Sequence, residues 1–593
     1  MKKQHPHRIA PIGLCVLGIG VAAALWWTYI THLSSSKNTD ANNSKNNGRP
    51  VSFNKDVAPI VFQHCAPCHR PGQSAPFSLL TYIEVKKRAA DIVKVTARRY
   101  MPPWLPDPAD GPFVNQRSLH PDQISLIERW VATGAPEGDA SDLPPVPQWR
   151  DGWELGPPDL VIQMPEPFTL PAGGPDLYRN FVIPIPNTSR RFVKGIELQP
   201  GNARVIHHAF LRIDATPESR QRDEADPAPG FGGLHTPSSA QTPPGQFLSW
   251  QPGKRHTFVP RGLAWALETH CDLVLQTHLR PSGKSELLQS SVAFYFTDEP
   301  PTNTPFKIGL RTFAIDIPAG STDTVVRESY TLAADVDVLS VLPHAHYLGK
   351  SVEATATLPN GREQRLLHIA NWDFNWQGDY NFEKPIFLPQ GTKLSMAWHY
   401  DNSSQNPRNP NQPPRPVRYG LKSTDEMAEL WLQVLPRRTN DLAALTRYDQ
   451  PRVFRDAIVF NQYLLGLDPN DARAHTEIGK AKLFLGQLAD AASSLRRAIA
   501  LDATLDEPHY FLGLSFRMQN QLREAAVEFS EAIRLNPSNA KAHGNIGLIL
   551  FESGDLEGAG MHLQAALRLN PRDDIARETL EEIVRLRTTP PKK

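Results

Sequence analysis

The chain has 593 residues, enough for about four domains that each bury a core of their own. With 63 basic against 62 acidic side chains the formal net charge is +1, so no electrostatic drive toward nucleic acid exists. Four cysteines (Cys15, Cys65, Cys68 and Cys271) are too few and too dispersed for an internal disulfide framework.

At the N-terminus Lys2, Lys3 and Arg8 precede an uncharged run of 21 residues, Ala10 to Ile30. A helix of that length spans about 30 Å, the hydrocarbon thickness of a bilayer. Residues 1–33 therefore read as an anchor in the inner membrane. Positive charge ahead of the run keeps the N-terminus in the cytoplasm and exports the rest to the periplasmic side. A cleaved signal peptide is the alternative, although its apolar region is usually shorter, about 7–15 residues. Cys15 follows Leu14, a residue too large for a lipoprotein site. Residues 34–50, rich in Ser, Asn and Lys, read as a flexible tether.

Residues 51–142 suit a small helical domain. A first helix is expected over Asn54 to His64, and Gln123 to Thr133 (QISLIERWVAT) carries apolar residues at helical spacing to pack against it. Between them lies Cys65-Ala66-Pro67-Cys68-His69, the attachment signature of a c-type haem. In that chemistry the two thiols bond to the porphyrin vinyls and His69 becomes the proximal iron ligand. Met101, in a proline-stiffened loop, is the candidate sixth ligand, with His64 and His120 as rivals. Leu143 to Pro147 reads as a linker.

From Leu160 to Leu435 the pattern changes to short alternating runs broken by Gly and Pro, which predicts two β-sandwiches, over 155–300 and 301–437. The Pro/Gly/Ser-rich interval Ala215 to Pro260 reads as a long surface insertion. This region places His207-His208, His278, His344-Ala345-His346 and Met427. Imidazoles together with a thioether are a copper preference, because soft sulfur suits Cu(I). His344 and His346, at i and i+2, face the same way on a strand and can hold one metal. His207 and His208 point to opposite faces of a regular strand, so joint ligation requires a bulge or a strand end. Cys271 is expected to be a buried packing thiol. Trp372, Trp376 and Tyr380 are expected to pack the sandwich, and His399 is the remaining histidine to watch behind a ligand.

These motifs, in order, resemble the copper type II ascorbate-dependent monooxygenases, the family of the peptidylglycine α-hydroxylating and dopamine β-monooxygenases. The resemblance covers residues 160–435. Ile206-His207-His208-Ala209 resembles the family's His-His motif, and Val274-Leu275-Gln276-Thr277-His278 the strand bringing a third histidine. His344-Ala345-His346-Tyr347-Leu348-Gly349-Lys350 resembles its His-x-His motif, and Thr424-Asp425-Glu426-Met427 its methionine segment. The resemblance implies that His207, His208 and His278 hold an electron-transfer copper. It implies that His344, His346 and Met427 hold the copper that reacts with dioxygen. Where the peptide-amidating enzymes carry an arginine, an asparagine and a tyrosine for the substrate carboxylate, this chain has Leu342, Glu429 and Trp431. A peptide ending in glycine is therefore not the expected substrate. The family's disulfides cannot form, because Cys271 has no internal partner.

Residues 450–588 repeat with a period of 34: Gly479, Gly513 and Gly547; Ala491, Ala525 and Ala559; Ala498, Ala532 and Ala566. That period with small residues at helix crossings predicts a tetratricopeptide solenoid and a protein partner bound by it. A degenerate unit around Ala457 and Pro469 and a last helix over Asp574 to Arg587 would cap it.

The expected fold is thus multidomain: a small α-helical cytochrome c domain, two jelly-roll-like β-sandwich copper domains and an all-α solenoid. The expected function is an exported monooxygenase with two coppers and one covalent haem c, hydroxylating a C–H bond of an organic substrate with dioxygen. Electrons would come through the haem domain from an ascorbate-like reductant or a respiratory redox protein. The alternative is a non-catalytic periplasmic scaffold for electron transfer or copper handling.

Overall fold

A computed structural model describes residues 50–588, apart from residues 74, 150, 151, 235, 238 and 572. The expected anchor (1–33) and nearly all of the tether (34–50) lie outside the described residues. Among the described residues no helix is long and apolar enough to cross a membrane. The chain forms two compact units, and the expected single span 51–142 is interrupted. Residues 75–102 and 119–147 join the first residues in one unit, while 103–118 belong with 148–593 in the other. The reason is Phe113, fully buried in a β-core of the second unit, where its ring stacks on Phe382 at 4.9 Å.

The first unit is helical. A π-helical turn, Phe53–Val57, runs into the helix Ala58–His64, and helices Tyr82–Lys87, Ala89–Ala97 and Pro121–Ala132 follow. Thr81 and Glu84 form a capping box at the second of these, each satisfying the other's free N–H. Ile127 and Trp130 of the last helix are fully buried, and the Trp130 ring lies 6.0 Å from Phe53.

The second unit begins with two face-to-face antiparallel sheets. One orders Leu160–Gln163, Ser291–Thr297, Arg191–Gln199 and Trp265–Leu267; the other orders Phe231–Gly232, Leu177–Pro184, Asp272–Leu279, Ile206–Asp214 and Ser249–Trp250. Alternating Phe, Leu, Ile and Val from both sheets fill one core between them. A second pair follows. Phe306–Arg311, Glu429–Pro436, Val336–His344 and Tyr380–Leu388 pack over Thr324–Thr331, Lys393–Tyr400, Gly349–Thr357 and Glu363–Ile369.

The interval 215–260 is more than a surface insertion. It contributes the helix Glu218–Ala225 and both edge strands of the five-stranded sheet, and it buries Phe231, Ala240 and Trp250. Arg179 ties it down, paired with Asp226 at 2.8 Å and donating to the carbonyls of Ala228, Pro229 and Gly230. Cys271 is buried, its thiol on the Glu268 carbonyl at 3.1 Å.

After the 27-residue helix Asp441–Leu467, three helix pairs follow: Ala472–Phe484 with Leu488–Leu501, Asp506–Met518 with Leu522–Leu535, and Ala540–Glu552 with Leu556–Leu569. Asp574–Thr588 ends the array. The periodic glycines are steric. A Cβ on Gly479, Gly513 or Gly547 would come within 2.5, 2.7 and 2.7 Å of Leu495, Phe529 and Leu563 on the partner helix.

Candidate metal centres

His207, His208 and His278 come together, each offering one donor atom within 4.8 Å of the others. The local backbone explains how two adjacent histidines do so. Ile206 pairs with Leu279 and His208 with His278, which leaves His207 as the extra residue of a β-bulge. The bulge turns both rings to the same side, and their Nδ1 atoms lie 3.1 Å apart. His278 is buried in the neighbouring strand. Its Nε2–H donates to Asp176 Oδ2 at 2.8 Å, a contact that fixes the tautomer and leaves Nδ1 with a lone pair. The Tyr178 ring stacks on it at 4.4 Å, with the hydroxyl 3.3 Å from that same Nδ1. Among the described residues the buried Nε2 of His207 has no hydrogen-bond partner, and its ring is held by stacking on Phe374 at 4.8 Å.

The second set stands where one strand ends. Val336–His344 stops at His344, so His346 lies in the following turn and not on the strand the i, i+2 spacing suggested. The two rings are 5.5 Å apart and edge-on. Gln377 Oε1 accepts the proton of His344 Nδ1, which turns Nε2 toward Met427 Sδ at 3.2 Å. His346 Nδ1–H donates to the Asp425 carbonyl at 3.2 Å, again freeing Nε2. His278 thus presents Nδ1, whereas His344 and His346 present Nε2.

Burial, followed by the charge of neighbouring histidines, keeps three of these rings, His207, His208 and His346, neutral. His207 and His346 are each lowered to about 3, and His208 is well below the usual imidazole range. A neutral imidazole is the form that ligates a metal.

Glu426 organises this second set, a role its sequence position beside Met427 only hints at. It is fully buried, and its carboxylate accepts the N–H of His346, of Leu348 at 2.9 Å and of Met427 at 2.9 Å. One side chain therefore joins the His-x-His turn to the methionine. Burial pushes its carboxyl up to about 8, against the pull of those donors.

Leu342 pairs in register with Trp431, and His344 with Glu429. Glu429 accepts the Trp431 indole N–H at 2.9 Å, so two of the three positions that depart from the resembled pattern engage each other. Trp372 is buried in the core, as expected, and donates to the His346 carbonyl at 3.1 Å. Trp376 and Tyr380 do more than pack. With Trp104, Trp250, Lys254 and Gln377 they line a cavity of about 190 Å³. His399 pairs with Asp323 at 2.9 Å rather than with any candidate ligand.

In the first unit the helix Ala58–His64 ends in the turn carrying the two thiols, where the N–H groups of Cys68 and His69 return to the Cys65 carbonyl. His69 Nδ1–H donates to the Phe77 carbonyl at 3.2 Å, leaving Nε2 as its donor atom. Burial, then the nearby Cys68, raises the Cys65 thiol to about 12. Met101 comes from another element, its N–H on the Val95 carbonyl at 3.2 Å, and no hydrogen bond or ring contact joins it to His69 among the described residues. His120 is used as the cap of the helix Pro121–Ala132, accepting from the Asp122 N–H.

No curated protein matches the chain. Among solved structures, MamA aligns at 26% identity over 23% of this chain and 78% of its own, with a TM-score of 0.21. The first tetratricopeptide repeat domain of Spaghetti, bound to an HSP90 peptide, aligns at 20% over 21% and 97%, with a TM-score of 0.20. Residues 472–505 and 510–574 each match the tetratricopeptide repeat family. The C-terminal helix pairs of this chain are tetratricopeptide repeats.

Proposed function

We propose that this chain is a copper-dependent monooxygenase with a fused haem c domain. The observation that carries the reading is the convergence of two donor sets, His207/His208/His278 and His344/His346/Met427, in which the outward ring nitrogens of His278, His344 and His346 are held by Asp176, Gln377 and the Asp425 carbonyl. Imidazoles with a tautomer fixed from behind suit a metal, and the thioether favours copper in its reduced state. Copper bound at these sets would supply one-electron redox chemistry and activate dioxygen for insertion of one oxygen atom into a C–H bond.

The protein's own residues set the conditions for that chemistry. Asp176 holds the His278 proton on Nε2, and Gln377 and Asp425 do the same for the Nδ1 protons of His344 and His346. Glu426 keeps Met427 against His344. In the first unit, Cys65 and Cys68 would bond the haem and His69 would ligate its iron through Nε2, the nitrogen its bond to Phe77 leaves free. Met101 is the proposed sixth ligand.

As a covalently tethered donor, the haem would act at high effective concentration, drawing on an ascorbate-like reductant or a respiratory redox protein. The repeat array is a platform for a protein partner, and the site of action is the periplasmic side of a bacterial inner membrane. The organic substrate is one other than a glycine-ended peptide, since Glu429 and Trp431 are occupied with each other.

Replacing Met427 with alanine tests this reading. Dioxygen uptake coupled to hydroxylated product is lost while the haem spectrum is unchanged; retained turnover would sink the assignment.

A further inference from the structure

A six-residue turn, Trp372 to Gln377, touches both donor sets. Trp372 donates to the His346 carbonyl at 3.1 Å, and Gln377 accepts from His344. Asn375 accepts from Arg280 at 3.0 Å, two residues beyond His278 on the other sandwich. At the centre of the turn is Phe374, only 2% exposed. Its ring centroid lies 4.8 Å from His207, 6.4 Å from His278, 5.6 Å from His346 and 4.6 Å from Tyr347.

It stacks on the first of these imidazoles and meets His346 edge-on, the two arrangements aromatic rings favour. The turn itself is closed by Asp373, which accepts from the Asn375 N–H at 3.0 Å, and by Gln377, whose amide donates to the Phe374 carbonyl at 3.1 Å. A phenyl ring with two torsions, packed on several sides and mounted on a closed turn, has little freedom to move.

We propose that Phe374 is a positioning residue that sets the spacing of the two donor sets by standing between them. The inference rests on the copper reading above. Its ring is then in contact with a histidine of each set, and their spacing is fixed by the turn.

The test is electron paramagnetic resonance of the full chain loaded with Cu(II). After subtraction of the haem signal from each, its Cu(II) spectrum is compared with the sum of those of His208→Ala and His346→Ala, each keeping one set. The expected result is two coppers per chain with dipolar broadening absent from that sum. Phe374→Leu, which keeps most of the bulk, retains the broadening. Phe374→Ala binds two coppers and changes it. Two coppers whose spectrum equals the sum of isolated sites would overturn the role of Phe374 and leave the copper reading standing. Fewer than two coppers in the unmodified chain would overturn that reading and this inference with it.

Discussion

The Nδ1 atoms of His207 and His208 face each other at 3.1 Å, although these residues are adjacent on a strand whose side chains should alternate. One extra residue opposite the His278 strand makes this possible, and it brings three imidazoles from two strands to one point. The bulge is a local departure from the ladder that a regular strand would not tolerate without a use for it.

Asp176 should matter to that point without touching the metal. Carboxylates behind a ligating histidine typically account for about 10–100-fold in metal affinity. Asp176→Ala is expected to weaken copper at the three-histidine set by that factor, measured by chelator competition, with the Met427 set unaffected. Equal affinities would mean that the Asp176–His278 contact at 2.8 Å is only structural.

Glu426 gives a prediction about stability. Removing a buried acceptor strands its donors at about 1–3 kcal/mol each, and Glu426 serves at least three backbone N–H groups. Glu426→Ala should therefore cost at least about 3 kcal/mol in denaturant unfolding and loosen Met427. Glu426→Gln, which keeps a carbonyl oxygen in place, should cost distinctly less. Equal losses would contradict this account of the side chain.

The buried histidines also set a pH dependence. His207 and His346 drop from the usual 6.5 to about 3 on folding, so between those values the unfolded chain binds protons the native chain rejects. Stability of the metal-free protein is then fully present above about 6.5 and falls as the pH drops toward 3. Glu426 has the opposite sign: raised to about 8, its contribution is present below the usual 4.5 and lost as pH rises through 8. Thermal midpoints from pH 4 to 9 check both, with His346→Gln flattening the acid limb and Glu426→Gln the alkaline one.

In the repeat array Gly513 leaves no space for a methyl group, because a Cβ would sit 2.7 Å from the Phe529 ring. Overpacking of this kind costs about 1–3 kcal/mol. Gly513→Ala should destabilise the repeats by that amount in a melt followed by helical circular dichroism, with haem and copper contents unchanged. A stability equal to that of the parent would show that the helices can part at this crossing.

Periodicity made the repeats legible, because each glycine and alanine answers to a contact within one helix pair and recurs with it. The histidines and methionine proposed as donors stood out as well, since imidazole and thioether chemistry is written in residue type. Their supports were not. Asp176 lies 102 positions from His278 and Gln377 lies 33 from His344, pairings that only the folded sheets create. Trp372 and Phe374 look like ordinary core residues, and nothing in their sequence context marks contact with a donor set. The interval 215–260 misleads in the same way. Its Pro/Gly composition reads as exposed loop, but Arg179 anchors it and its short strands finish a sheet. Residues 103–118 read as one domain's loop, yet Phe113 is buried in the core of the second unit.

The ratio of copper to haem in the purified full chain, after reconstitution and removal of loosely held metal, tests the central claim most directly. Two donor sets and one Cys65/Cys68/His69 motif predict two coppers for each haem. A chain that retains no copper would contradict the account and leave the sandwiches with a structural role alone.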